Sequence, residues 1–318
     1  MDRRRKGSTR RVHRVACLAG DGLGPELMAE ATRALRKVAR MHGFAIEDVH
    51  APIGTEALTR SGQPLPAATL SAVLGADAVL VADAAEPALR DLEAHLDLRA
   101  RLTHVLCRRN GFTLLTPVVG DGEGWTVERA FAFAERGRGR LVSVDHDGRW
   151  AAVVDEEGDR HETVSIEHTG LADTVRALTF EPDGLDVVVA TGAVASALEQ
   201  LAAGDEDDDR LAAVCLLAGN GPSVFSPAQA DPHDHAGHGV ADPGSMLLAA
   251  SLLLREGLGE AHAADTLAAA LRHARANGSR PVARPHRLAA TTRDFGDAVA
   301  GLLPASHRNA EFVPEAAA

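Results

Sequence analysis

Tyrosine is absent from the 318 residues, so no mechanism that needs a phenol as general acid is open to this chain. Cysteine is scarce: Cys17, Cys107 and Cys215 sit in apolar or basic runs without metal-ligand spacing. Three cannot all pair within the chain, and buried, reduced thiols are expected. No apolar run reaches the roughly 18 residues that cross a bilayer. The basic start MDRRRKGSTRRVHR is followed by VACLAG, which Gly-Asp-Gly breaks too early to serve as the apolar stretch of a signal peptide. No membrane association and a cytoplasmic location are therefore expected. Positive charge is also in deficit: a net charge of −12 opposes affinity for nucleic acid phosphates. The basic residues of the first 14 positions read as a solvated tail.

What is present is enough apolar material, 45% of residues, to bury a substantial core, and at this length two lobes are expected. Short β-branched runs alternate with longer segments of helical period: VACLAG, then 25–41; ADAVLVA, then 88–106; DVVVATG, then 193–203. Strands joined by crossover helices produce that alternation, so the class is α/β. Polar breaks fall at 120–125, at 145–162, which reads as a hairpin around Asp147-Gly148 and Glu157-Gly158, and at the acidic run 204–210, read as a solvated loop. Residues 244–258 are apolar on nearly every face, which predicts a helix buried in a core or at a subunit interface. There is no internal repeat.

The segment VACLAGDGLGPELMAEA (15–31) places a Gly-rich turn between a strand and a helix, with Pro25 in the helix's first turn. It resembles the opening of the isocitrate and isopropylmalate dehydrogenases. The likeness continues in order through GTEALTRSGQPLPAATL (54–70), ADAVLVA (76–82), LRARLTHVLCRR (98–109), EHTGLADTV (167–175), DVVVATG (186–192), the loop and helix of 224–254, and TTRDFGDAVAGLL (291–303). The resemblance implies a two-domain isopropylmalate/isocitrate dehydrogenase-like α/β fold distinct from the Rossmann fold. The large, cofactor-side domain would comprise 1–100 and 218–318, and the small, substrate- and dimer-side domain 101–217. Members act as dimers whose active sites lie in the cleft between domains.

The family oxidises a 2-hydroxy acid bearing a second carboxylate, with a nicotinamide cofactor and a divalent metal, so three tasks follow from the resemblance: arginines clamp carboxylates, carboxylates hold a hard cation, and a lysine and a tyrosine move protons. Arg99 and Arg109 fall at the family's ten-residue spacing as substrate-binding groups, with Arg101 and Arg108 beside them. The third arginine aligns with Pro117. The two metal aspartates align with Ala197 and Leu201, or with Ser196 and Gln200 one residue earlier, and the partner-contributed aspartate aligns with Ala172, next to Asp173. The catalytic lysine aligns with His146, whose imidazole titrates near neutral pH, and the tyrosine with Gly124 and Trp125.

In the cofactor loop, Ser226, Gln229 and 230–232 replace the usual adenine contacts. Asp234 stands where NAD-using members place the acid that meets the ribose hydroxyls, Asp242 replaces an asparagine, and Gly237 lies between them. His233, His235 and His238, with Asp231 and Asp234, form an imidazole-rich stretch that reads as a polar loop. The dimer arm is deleted, with 122–145 passing almost directly into a helix and strand. Pairing through apolar small-domain helices, as a homodimer or with a paralogous subunit, is the remaining route.

Two readings follow. The first is a homologue with a degenerate site, non-catalytic or repurposed for binding a small carboxylate or regulating an active paralogue, with no resident Mg²⁺ or Mn²⁺. The second is a divergent NAD-dependent oxidoreductase acting by oxidative decarboxylation, in which His146, Asp173 and the acidic or histidine-rich loops have taken over lost roles.

Overall fold

The computed structural model describes residues 11–83, 86–107, 109–118, 122–145, 148–203, 210–228, 236–277 and 290–303. Strand β1 (Val12–Gly20) leads into α1 (Gly24–His42) and β2 (Ala45–His50). Helices α2 (Thr55–Ser61) and α3 (Ala67–Leu74) precede β3 (Ala78–Asp83), and α4 (Glu86–Glu93) precedes the hairpin of β4 (Leu98–Leu106) and β5 (Gly111–Pro117). The chain continues through α5 (Glu123–Arg136), β6 (Arg140–Val144), α6 (Arg149–Gly158), β7 (Ser165–Thr169), α7 (Leu171–Phe180), β8 (Val187–Ala190) and α8 (Gly192–Ala203). A second hairpin, β9 (Leu211–Ala218) and β10 (Ser223–Pro227), is followed by α9 (Gly244–Leu252), a π-helical turn (Leu253–Gly257), α10 (Ala261–Ala276) and α11 (Thr292–Leu302).

The ten strands among the described residues share one sheet, in the order β2-β1-β3-β10-β9-β4-β5-β8-β6-β7. Each end of the sheet is a parallel wing, and three antiparallel contacts, β10 with β9, β9 with β4 and β4 with β5, join the wings at the centre. Strands covered on both faces read as continuous apolar runs. That is the pattern of VVVA in β8 and LAAVCLLA in β9, in which all but Ala218 are buried.

The two faces of the sheet are packed differently. One carries a single continuous core under α1, α5, α9 and α10, with Phe44, Leu102, Phe131, Phe225, Met246 and Leu267 fully enclosed. Residues 246–254 are all buried, as the apolar run predicts, and Ser251 Oγ donates to the Ala264 carbonyl at 3.0 Å to tie α9 to α10. The opposite face carries two separate clusters. One lies under α7 and α8 around Val105, Val188 and Leu198; the other lies under α2 to α4 around Leu18, Ile53, Val81 and Leu92. A seam therefore runs over the central strands on this face.

Two expectations are corrected. The stretch 88–106 is helical only to Glu93; from Leu98 it is the central strand β4. Leu98, Ala100 and Leu102 are buried on a strand whose odd positions carry Arg99, Arg101 and Thr103, and hydrogen bonding to strands on both sides outweighs the Ala/Leu composition. The expected hairpin at 145–162 is instead helix α6. Gly148, at φ 78°, turns the chain into it, and Trp150 and Val154, four residues apart on one face, are buried. Gly158 is a close-approach residue: a Cβ there would lie 2.5 Å from Ile166 Cδ1. Helix α5 does run directly into β6, as expected from the deleted arm.

Candidate functional site

The floor of the seam is polar. Arg101 on β4 lies opposite Thr116 on β5, and Glu199 of α8 reaches both. The Thr116 hydroxyl donates to Glu199 Oε1 at 2.5 Å, and Glu199 Oε2 lies 3.6 Å from Arg101 Nε. Helix periodicity explains the reach: Leu198 and Ala202 bury against the sheet, and Glu199, adjacent to them, is carried to the rim of that contact. Two buried polar atoms here have no hydrogen-bond partner, Arg101 Nε and the Thr103 hydroxyl.

Arg99 lies at a β-bulge, where the register of β4 against β9 shifts between Leu98 and Ala100. Bulges re-aim side chains, and this one sends Arg99 back onto Asp97, with Nε and Nη2 each 3.2 Å from its carboxylate. Asn220 Nδ2 donates to the same carboxylate at 3.1 Å. The Arg99 guanidinium and this amide hold the Asp97 carboxyl below its ordinary range. Gly219 makes room for the pair, since a Cβ there would lie 2.3 Å from Arg99 Nε.

Arg99 and Arg109 are not brought together within the chain. Arg99 is at the first end of β4, whereas Arg109 is exposed in the turn beyond its last residue, Leu106. At about 3.4 Å per residue, the strand holds them roughly 25 Å apart. Pro117 ends β5. On α8, Ala197 is half-buried, Ser196 and Gln200 are exposed, and Leu201 is 39% exposed. On α7, Ala172 and Asp173 are both exposed. Gly124 and Trp125 open α5, where Arg129 lies over the Trp125 ring at 4.9 Å. His146 and Arg108 lie outside the described residues, as do Asp234, Gln229, Asp231, His233 and His235.

The residues present do not suit a divalent cation. The expected ligand positions hold a methyl group and an isobutyl group, and among the described residues no three of His, Cys, Asp and Glu converge. The described part of the cofactor loop is likewise committed elsewhere. Asp242 is bonded to Arg275 of α10 at 2.5 Å and accepts the Gly244 N–H at 2.8 Å, which fixes the start of α9. Gly237, at φ 78°, and His238 are exposed, and Ser226 is half-buried on β10.

The Gly-rich turn is preserved in detail. Gly20 and Gly22 have positive φ, and a Cβ on Gly24 would fall 1.8 Å from the Ala19 carbonyl oxygen. Asp21 accepts backbone N–H bonds from Thr55 at 2.8 Å and Glu56 at 3.1 Å, anchoring the first turn of α2. A shallow hollow of about 440 Å³ opens between this turn and α2.

All three cysteines are buried and none forms a disulfide; burial and then Asp48 push Cys17 up to about 12, and burial raises Cys215 well above its ordinary range. Sequence reasoning missed Glu199, Thr116, Asp97 and Asn220. Asp97 carried a local signal in its i, i+2 spacing to Arg99; Glu199 and Thr116 meet Arg101 only through the sheet order.

A family model described as isocitrate/isopropylmalate dehydrogenase matches residues 14–116 and 126–299. The gap, 117–125, contains Pro117, Gly124 and Trp125, where the third arginine and the tyrosine would be sought. Curated relatives include the 3-isopropylmalate dehydrogenases of Synechococcus sp. (strain CC9605), 31% identical over 84% of this chain and 92% of its own, and of Desulfotalea psychrophila, 27% identical over 92% and 100%. Among solved structures, isocitrate dehydrogenase from Methylococcus capsulatus aligns with TM-score 0.76 at 18% identity, covering 92% of this chain and 99% of that one. A beta-decarboxylating dehydrogenase from Thermococcus kodakarensis aligns with TM-score 0.76 at 21% identity, covering 92% and 96%.

Proposed function

The chain belongs to the isocitrate/isopropylmalate dehydrogenase family, and we propose that it is a member that keeps the fold and a carboxylate-binding cleft but not the dehydrogenation machinery. The observation that carries this reading is the side-chain inventory. There is no tyrosine, and the only lysines are Lys6 and Lys37. Lys6 lies outside the described residues, and Lys37 donates to the Ala300 carbonyl where α1 meets α11. Neither is a candidate for the lost proton-transfer lysine. General acid–base groups contribute about 10²–10⁴ in rate each, so two lost groups raise the barrier by roughly 5–10 kcal/mol before the metal is counted.

The role in this reading is ligand binding or regulation of an active paralogue. A two-lobe division at 1–100 with 218–318 and 101–217 is part of it; the two clusters on one face of the sheet fall mainly on either side of that boundary, with Val214 and Leu216 packing across it. Assembly as a homodimer or with a paralogue through α7 and α8 is supported by Phe180, 76% exposed, and Leu201. No helix among the described residues is long and apolar enough to cross a membrane, in keeping with a cytoplasmic protein. NAD binding rests on Asp234 alone, because Asp242 is occupied.

The test combines turnover with binding. Purified protein with NAD, Mg²⁺ and isopropylmalate or isocitrate is expected to produce no NADH, while a thermal-shift panel of hydroxy-dicarboxylates stabilises it. A ligand at 100 times its Kd should contribute about 2.7 kcal/mol. Robust Mg²⁺-dependent NAD reduction would overturn the reading.

A further inference from the structure

The cations of the seam already face carboxylates from the chain itself. Arg101 and Thr103, two residues apart on β4, share the seam face at about 7 Å between side chains, whereas the bulge between Leu98 and Ala100 breaks the alternation at Arg99. Asp97 holds Arg99 with two contacts at 3.2 Å. Arg101 is served less well: Glu199 Oε2 stands 3.6 Å from its Nε, inside ion-pair range and outside hydrogen-bond range. The Arg101 Nε–H is buried without an acceptor, and the Thr103 hydroxyl, in a residue only 2% exposed, is also unpartnered. A buried donor without an acceptor is a standing cost, and a guanidinium presents a fork that a carboxylate can meet at two points. The Arg101 side chain is 38% exposed, so solvent and solutes can reach it.

We infer that Glu199 is a built-in competitor at a carboxylate site centred on Arg101. In the free chain it neutralises the guanidinium without satisfying its hydrogen bonds, held in place by Thr116. A small dicarboxylate displaces it by supplying the closer acceptor at Arg101, with the unpartnered Thr103 hydroxyl beside it as a further donor. Glu199 is carried on α8, so displacing it loosens the tie between that helix and the central strands, and occupancy of the site is coupled to α8. The inference rests on the carboxylate-binding reading above and adds the group that regulates it.

Calorimetric titration of the full chain with succinate, at ionic strength held constant with sodium chloride, tests it. Glu199→Gln removes the competing charge and is expected to tighten succinate binding at least tenfold. Thr116→Val, which keeps both charges and removes only the tether, should move affinity the same way by a smaller factor, and it decides the matter if Glu199→Gln does not fold. Arg101→Gln should abolish binding. Succinate bound equally by wild type and Glu199→Gln overturns the role of Glu199 and leaves the carboxylate cleft standing. Binding by neither, or binding that survives Arg101→Gln, overturns the site itself.

Discussion

The turn after β1 and the helix after β8 each follow a parallel strand in opposite wings of the sheet, yet they constrain their side chains very differently. The turn keeps every steric requirement: positive φ at Gly20 and Gly22, no space for a Cβ on Gly24, and Asp21 bonded to two backbone N–H groups of α2. Helix α8 keeps its buried face, Ala195, Leu198 and Ala202, while the positions expected to carry metal ligands hold Ala197 and Leu201. In the turn, side-chain identity is dictated by packing; on the exposed face of α8, packing leaves it open. A fold and the chemistry placed on it are held by different side chains.

The sharpest way to break this comparison is at Gly24. A Cβ would lie 1.8 Å from a backbone oxygen that cannot swing aside, so Gly24→Val should cost about 3 kcal/mol or more in urea denaturation. A near-neutral result would mean that the turn is no more constrained than α8.

Two histidines sharpen it next, through pH. Burial, then Arg255 and Arg272, lower His104 to about 4. Its unfolded counterpart takes up a proton first, so stability is present above about pH 6.5 and is lost as pH falls from there towards 4. His161 runs the other way. Its two ring nitrogens face Glu135 at 2.8 Å and Glu157 at 3.2 Å, which only the doubly protonated ring can satisfy as donor, and the bond to Glu135 raises its pKa. Its contribution, under about 1 kcal/mol, is present below pH 6.5 and is lost as pH rises through the folded value. Thermal melts across pH 4–8 should show His104→Leu flattening the acid limb and His161→Gln lowering stability only on the acid side of that folded value. The reverse assignment would show that the two environments have been misread.

The smallest effect is expected on α8 itself. Leu201→Asp, at a 39% exposed position, should change stability by less than about 0.5 kcal/mol and confer no Mg²⁺-dependent thermal shift. A large loss would show that the lost ligand position had become structural.

Much of the fold was legible because local pattern and burial agree. The runs at β1, β3 and β8 and the apolar stretch at α9 declared themselves, and the order of motifs pointed to the family before any contact was known. The misreadings have a common cause. For 88–106, Ala/Leu composition outvoted an alternation that pairing on both sides makes decisive; for 145–162, two Gly-containing dipeptides imitated turns, although one glycine only opens a helix and the other only makes room for Ile166. At the site, the ten-residue spacing of Arg99 and Arg109 does not bring them together, because strand β4 starts at Leu98, beside Arg99, and carries the chain extended to Leu106.

The amino-acid sequence by itself determined the family, the α/β class and the absence of a phenol, because each depends on residue identity or local period. Only the tertiary structure decided which groups meet. Glu199 reaches Arg101 and Thr116 across 83 to 98 positions because β4 and β5 pair as a central hairpin and α8 packs on the same face. Such contacts follow from strand order and register, which no local spacing records.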